Sequence, residues 1–133
     1  TYYTMAHDWT WNVTIGCAAC GLVSDLLLML NNYRDREQDK ISGKRTLVVR
    51  LGEKAGRYAY LLLGIIATGL CSYYAFHELL LASLLPLLFL ILHFTTWREM
   101  VRIFQGKELN IVLGKTARNI VVFGILLSLG LIL

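Results

Sequence analysis

Lysine and arginine are confined to two parts of this chain, and four long apolar segments run between and beyond them. Eight of the 13 basic residues (Arg34, Arg36, Lys40, Lys44, Arg45, Arg50, Lys54, Arg57) lie within 34–57, and the other five (Arg98, Arg102, Lys107, Lys115, Arg118) lie around a second connection. Residues 1–33 and 58–97 contain none. The apolar segments cover about 11–33, 58–77, 79–97 and 116–133. A helix rising about 1.5 Å per residue crosses roughly 30 Å of hydrocarbon with about 20 residues, so each segment is of spanning length. Hydrophobic residues make up 56% of the chain, against about 45–50% in a soluble domain. No period-two alternation is sustained. The expected fold class is therefore all-α, a polytopic transmembrane bundle of four helices, with 1–133 as a single integral-membrane domain.

The charge asymmetry also sets an orientation. Basic residues in short loops stay inside, so the connections 34–57 and 98–115 are expected to be cytoplasmic, with 1–10 and His77-Glu78 outside. Tyr2, Tyr3, Trp9, Trp11, Tyr73, Tyr74 and Phe76 would crowd the outer interface, and Trp97 would mark the inner one. The net charge of +4 thus reads as a topology signal, with no nucleic-acid partner implied. The chain starts at Thr1 with no signal-peptide pattern, and it is expected to be a piece of a longer protein whose N-terminal half is missing. Cys17 and Cys20 form a C-x-x-C spaced by two alanines inside an apolar run. That context suits small residues at a helix–helix contact better than a zinc or redox pair.

One polar stretch stands out at the end of the first apolar segment: Asn31-Asn32-Tyr33-Arg34-Asp35-Arg36-Glu37-Gln38-Asp39. Asp35 and Asp39 are four residues apart, which on a helix places both carboxylates on one face. Two such carboxylates suit a hard cation such as Mg²⁺, which prefers oxygen ligands and is commonly shared with substrate phosphates. If the first helix continues through the motif, Asp25, Asn32, Asp35 and Asp39 fall within an arc of roughly 80°, with Asn31 about 40° further round. Asp25 then lies inside the bilayer, where it is either a protonated or salt-bridged structural residue or part of a cavity wall. Arg36 and Glu37 fit a solvated surface. Gly43-Lys44-Arg45-Thr46 follows and can turn cations back toward the carboxylates. As spacing alone, D-x-x-x-D is common in juxtamembrane charge runs.

Two Gly-Lys pairs fail as phosphate loops. Gly43-Lys44 continues with Arg45 where Ser or Thr is required, Gly114-Lys115-Thr116 lacks the upstream glycine, and neither follows a strand. His77 and His93 are single histidines in or beside apolar helices, which favours packing over catalysis.

The string Asn31-Asn32-Tyr33-Arg34-Asp35, Asp39, then Gly43-Lys44-Arg45-Thr46-Leu47-Val48-Val49-Arg50-Leu51-Gly52 resembles the second aspartate-rich motif of the UbiA superfamily of intramembrane aromatic prenyltransferases. Its continuation is most similar to the branch that acts on 1,4-dihydroxy-2-naphthoate, and the Thr1-Tyr2-Tyr3 start is also like that branch. The resemblance implies a bundle of nine helices around a central cavity, of which this chain would supply the last four. It implies that Asp35 and Asp39 are catalytic and hold Mg²⁺ against a polyprenyl diphosphate. Lys44 and Arg45 would contact the diphosphate, and Asn31, Asn32 and Arg34 would line the same pocket. The expected reaction transfers the polyprenyl group to the aromatic acceptor with loss of diphosphate and CO₂, giving demethylmenaquinone at the cytoplasmic side of a bacterial inner membrane. Without the first aspartate-rich motif this piece alone is expected to be inactive. Other members would use 4-hydroxybenzoate, homogentisate, a chlorophyllide or haem as acceptor, and a non-catalytic transporter or structural membrane subunit is the alternative from another class.

Overall fold

The computed structural model describes residues 9–133, and every regular element among them is helical. Tyr2, Tyr3 and the Thr1-Tyr2-Tyr3 start lie outside the described residues. Helix α1 covers Trp11–Arg34 and, after a break at Asp35, α2 covers Arg36–Ile41. A short α3 (Leu47–Leu51) leads into α4 (Glu53–Cys71), which a 3₁₀ turn extends through Ser72–His77. Then come α5 (Leu80–Leu84), α6 (Leu87–Ile103) and α7 (Leu109–Ile132). Joined across their breaks these form four spans, Trp11–Arg34, Glu53–His77, Leu80–Ile103 and Leu109–Ile132, each long and apolar enough to cross a membrane.

The spans are longer than hydropathy suggested. Residues 53–57, 98–103 and 109–115, expected in connections, are helical. The reason is that Lys, Arg and Glu are good helix formers, so a helix runs on through charged residues until the backbone forces a stop. Here the stops are Gly52 at φ 88°, Phe104 at φ 63° and Gly106 at φ 100°. The third span breaks at Leu85-Pro86, where proline lacks the N–H that a continuous helix needs. Phe89 N–H bonds the Pro86 carbonyl at 3.1 Å, tightening the restart into α6.

Helix α1 packs against α4 and α7, and α6 packs against both of these in turn. Tyr33, Tyr60, Tyr74, Phe89 and Phe123 are the bulkiest side chains of the core, joined by Leu26, Leu30, Met100 and Leu109. Two glycines permit close approach. A Cβ at Gly130 would stand 2.5 Å from the Ala82 Cα, so α5 and α7 meet backbone to backbone. A Cβ at Gly64 would overlap the His93 ring. That ring is buried and stacks between Tyr60 and Phe89, at centroid distances of 4.9 Å and 5.2 Å. Hydroxyls deep in the spans bond largely to their own helices, as Thr68 does to the Gly64 carbonyl at 2.9 Å and Thr116 to the Val112 carbonyl at 2.9 Å.

At the end away from the acidic motif, Glu78 turns the hairpin at φ 62°. Tyr74, expected at an interface with Tyr73 and Phe76, is instead fully buried and donates its hydroxyl to the Asn12 carbonyl at 2.6 Å. The aromatic run there is long enough for a 3₁₀ turn to point one ring inward while Phe76 stays exposed. Cys17 and Cys20 are exposed and Cys71 is buried, all as free thiols. Both exposed thiols edge an apolar groove of about 380 Å³ between α1 and α7.

Candidate functional site

The acidic motif folds as a corner, and not as the end of one continuous helix. Asp35, at φ −91° and ψ 5°, ends α1, and α2 restarts at Arg36. Backbone bonds still bridge the corner: Asp35 N–H donates to the Asn31 carbonyl at 2.9 Å, and Asp39 N–H to the Asp35 carbonyl at 2.8 Å. The one-turn relation between the two aspartates therefore survives the break. Past α2 the chain reverses at Gly43, in the left-handed region at φ 76°. There Gly43 N–H bonds the Lys40 carbonyl at 3.3 Å and Lys44 N–H bonds the Asp39 carbonyl at 2.9 Å, a glycine helix stop that returns Lys44 to the motif.

Each carboxylate has its own cation. Arg34 grips Asp35 with two parallel bonds, from Nε at 2.7 Å and from Nη2 at 2.8 Å. These hydrogen bonds hold the Asp35 carboxyl below the usual carboxylate range against the opposing effect of desolvation, and the charges of Arg34 and Lys44 add to them. Asp39 is only 5% exposed. Its Oδ1 lies 3.3 Å from the Lys44 ammonium, which is itself well exposed. Lys44 thus acts on both aspartates. Arg45 is exposed and forms no ion pair with either of them. Asn31 and Asn32 are half-buried at the last turn of α1. Asp25 is exposed on α1, away from the described core.

A second charged group braces the corner from behind. Arg36, which the alternating charges suggested was a surface residue beside Glu37, is only 5% exposed. Its Nη1 donates to the Tyr33 carbonyl at 2.7 Å and its Nη2 to the Phe104 carbonyl at 3.0 Å. The guanidinium also lies over the Tyr33 and Phe104 rings, 4.5 Å and 5.0 Å from their centroids. Arg57 covers the Phe104 ring at 4.9 Å and donates to the Tyr33 hydroxyl at 2.9 Å. Glu53 is the shared counter-charge, 3.8 Å from Arg36 and 3.5 Å from Arg57. Glu37 stays on the surface as expected. Two sequence signals point to this brace: Arg36 follows Tyr33 at helical spacing, and Glu53 precedes Arg57 by one turn. On the other side of the corner, Arg34 Nη1 donates to Asn110 Oδ1 at 2.9 Å. Arg34, Asp35, Gly106, Lys107 and Asn110 line a cleft of about 460 Å³.

This corner lies within the stretch 1–112, which matches the UbiA prenyltransferase family. The chain belongs to that family. It is similar to 1,4-dihydroxy-2-naphthoate octaprenyltransferase of Haemophilus influenzae, 34% identical over 137 residues, covering 100% of this chain and 44% of that protein. It is also similar to the octaprenyltransferase of the same name from Escherichia coli, 40% identical over 82 residues, covering 59% of this chain and 27% of that protein. The chain therefore spans less than half the length of these curated relatives. No solved structure matches it significantly. Family membership and the four spans make it an integral membrane protein of helical-bundle type.

Asp35 and Asp39 offer hard oxygen donors of the kind Mg²⁺ takes. Among the described residues, no group of three or more His, Cys, Asp or Glu comes together to hold a metal ion. Two carboxylates beside Lys44 fit an ion that draws its remaining ligands from phosphate oxygens and water, and do not fit a closed protein cage.

Proposed function

We propose that this chain is the part of a membrane prenyltransferase that holds the second aspartate-rich motif. The full-length enzyme transfers a polyprenyl group from polyprenyl diphosphate to 1,4-dihydroxy-2-naphthoate, releasing diphosphate and CO₂ and giving demethylmenaquinone. The observation that carries this reading is the corner at Asp35: two carboxylates one turn apart, with the Lys44 cation turned back by Gly43 onto Asp39 and within electrostatic reach of Asp35. Such a group binds a metal diphosphate and offers little to a neutral ligand. The names of the two relatives support the choice of acceptor.

In this enzyme Asp35 and Asp39 would hold Mg²⁺, which neutralises the departing diphosphate. Lys44 sits where it can contact the same phosphate oxygens, and Arg34 and Arg45 supply further cations near the motif. Positive groups fixed in advance lower the barrier because the charge they meet develops as the allylic C–O bond ionises. The amides of Asn31 and Asn32 offer donors on the same turn. The apolar interior of the bundle suits an isoprenoid tail and keeps water from the reactive carbon. The basic connections support a cytoplasmic side for this end of the bundle, and the bacterial relatives support an inner membrane as its location.

In the full-length protein, Asp35→Asn and Asp39→Asn should each cost about 10²–10³ in turnover, as expected for loss of one preorganised electrostatic contact. Glu37→Gln, on the exposed side of α2, should leave turnover unchanged. Equal and mild effects of all three would reduce the carboxylates to ordinary surface charge. Turnover with 4-hydroxybenzoate or homogentisate, and none with dihydroxynaphthoate, would overturn the choice of acceptor.

A further inference from the structure

The connection between α6 and α7 closes one side of the motif cleft, although its cleft residues Gly106 and Lys107 are 71 and 72 positions from Asp35 in sequence. It is short because it turns twice through left-handed backbone, at Phe104 (φ 63°) and at Gly106 (φ 100°). A Cβ at Gly106 would meet no atom within 4 Å, so glycine is required there by conformation and not by space. The turn brings Lys107 and Asn110 to face Arg34 and Asp35. Asn110 accepts from Arg34 and so fixes one edge of its guanidinium. Arg34 is matched by Asp35. Lys107 is exposed, and among the described residues it pairs with no carboxylate. The charges that line this cleft, Arg34, Asp35 and Lys107, therefore sum to one unbalanced positive charge, and Lys107 carries it.

We infer that Lys107 is a further substrate-binding cation of this site, contacting the phosphate groups of the isoprenoid diphosphate from the wall opposite Asp35. The assignment rests on the proposed diphosphate site. Lysine suits this place as a mobile point charge on a long stem, able to follow a phosphate that arrives with its own metal. Lipid headgroups and prenyl diphosphates share this phosphate chemistry, and the test below separates them.

The test uses the full-length enzyme in a zwitterionic detergent, with Lys107→Gln, Lys107→Arg, and Lys54→Gln as a control for simple loss of charge. Inorganic diphosphate, as a competitive inhibitor of prenyl transfer, reads the site without the isoprenoid tail. Lys107→Gln should raise the inhibition constant and the KM for the prenyl donor about tenfold, the scale of one charge-assisted contact. The KM for the aromatic acceptor should stay the same. Lys107→Arg should restore most of the loss, and Lys54→Gln should cause none. Unchanged diphosphate inhibition in Lys107→Gln, in an enzyme whose unaltered form is inhibited, would overturn the assignment and leave the site intact. A defect that appears only in vesicles with anionic lipid would give Lys107 to a headgroup and overturn it too. An unaltered enzyme with no prenyl transfer and no response to diphosphate would overturn the underlying site, and this assignment with it.

Discussion

Arg36 and Asn119 are both almost wholly buried, yet they are held in different ways. Arg36 sits at the motif end with two backbone carbonyls, two aromatic rings and the Glu53 carboxylate around it. Asn119 lies mid-span, where its amide donates to Thr96 Oγ1 at 2.9 Å and to the Leu92 carbonyl at 3.3 Å. Nearby, the Tyr60 and Thr116 hydroxyls share a bond of 2.8 Å. Charge is used near the end of the spans, where water lowers its cost, and there the buried Arg36 has several partners while the buried Asp39 has Lys44. The buried Asn119, Thr96 and Thr116 are themselves uncharged, since an ionised side chain in hydrocarbon costs several kcal/mol, although Arg118 also donates to Asn119 Oδ1 at 3.2 Å. The first group fixes the shape of a site, while the second joins helices.

That contrast breaks if Arg36 proves dispensable. Arg36→Met in the full-length protein strips the donor from the Tyr33 and Phe104 carbonyls and leaves Glu53 with Arg57 alone. It should lower stability by about 3 kcal/mol, seen as reduced detergent or thermal resistance. Arg36→Lys should recover little, since one ammonium cannot serve both carbonyls and lie flat on both rings. A melting point equal to that of the unaltered protein would make the brace ornamental.

A smaller effect sharpens the mid-span side. Gly64→Ala pushes a methyl group into the His93 ring and should cost about 2 kcal/mol by overpacking. The same substitution in a His93→Ala background should be nearly silent, and a cycle showing no coupling would mean that the ring is not what Gly64 accommodates. The smallest change is expected at Asn119→Leu, about 0.6 kcal/mol, the usual worth of a hydrogen bond between membrane helices. A loss as large as that of Arg36→Met would erase the distinction between the two depths.

The sequence made these two regions unequally legible. Four spans could be read directly, because hydropathy reports what lipid selects. Their ends could not, because Glu53-Lys54 and Arg98-Glu99 are polar and helix-forming at once. The nearness of Lys44 to Asp39 was readable through Gly43, a local stop that acts within a few residues. The brace was readable only in its local parts, Tyr33 with Arg36 and Glu53 with Arg57, since Arg36 finds its second carbonyl 68 positions away and Arg34 finds Asn110 76 positions away. Alternating charge around Asp35 looked like a solvated surface because local pattern cannot show which arginine has an aromatic ring waiting for it. Lys107 stayed out of sight for the same reason: its place in the cleft depends on where two spans meet.

The break at Leu85-Pro86 gives α6 a mechanical character. Its 17 residues form a rod of about 25 Å with a pivot at one end. At the other end is Phe104, whose carbonyl holds Arg36. A tilt of about 2° at the proline displaces the far tip by about 1 Å, enough to spoil a hydrogen bond. The third span is thus a lever with its fulcrum at the buried Pro86 and its load at Arg36, the residue that braces the acidic corner.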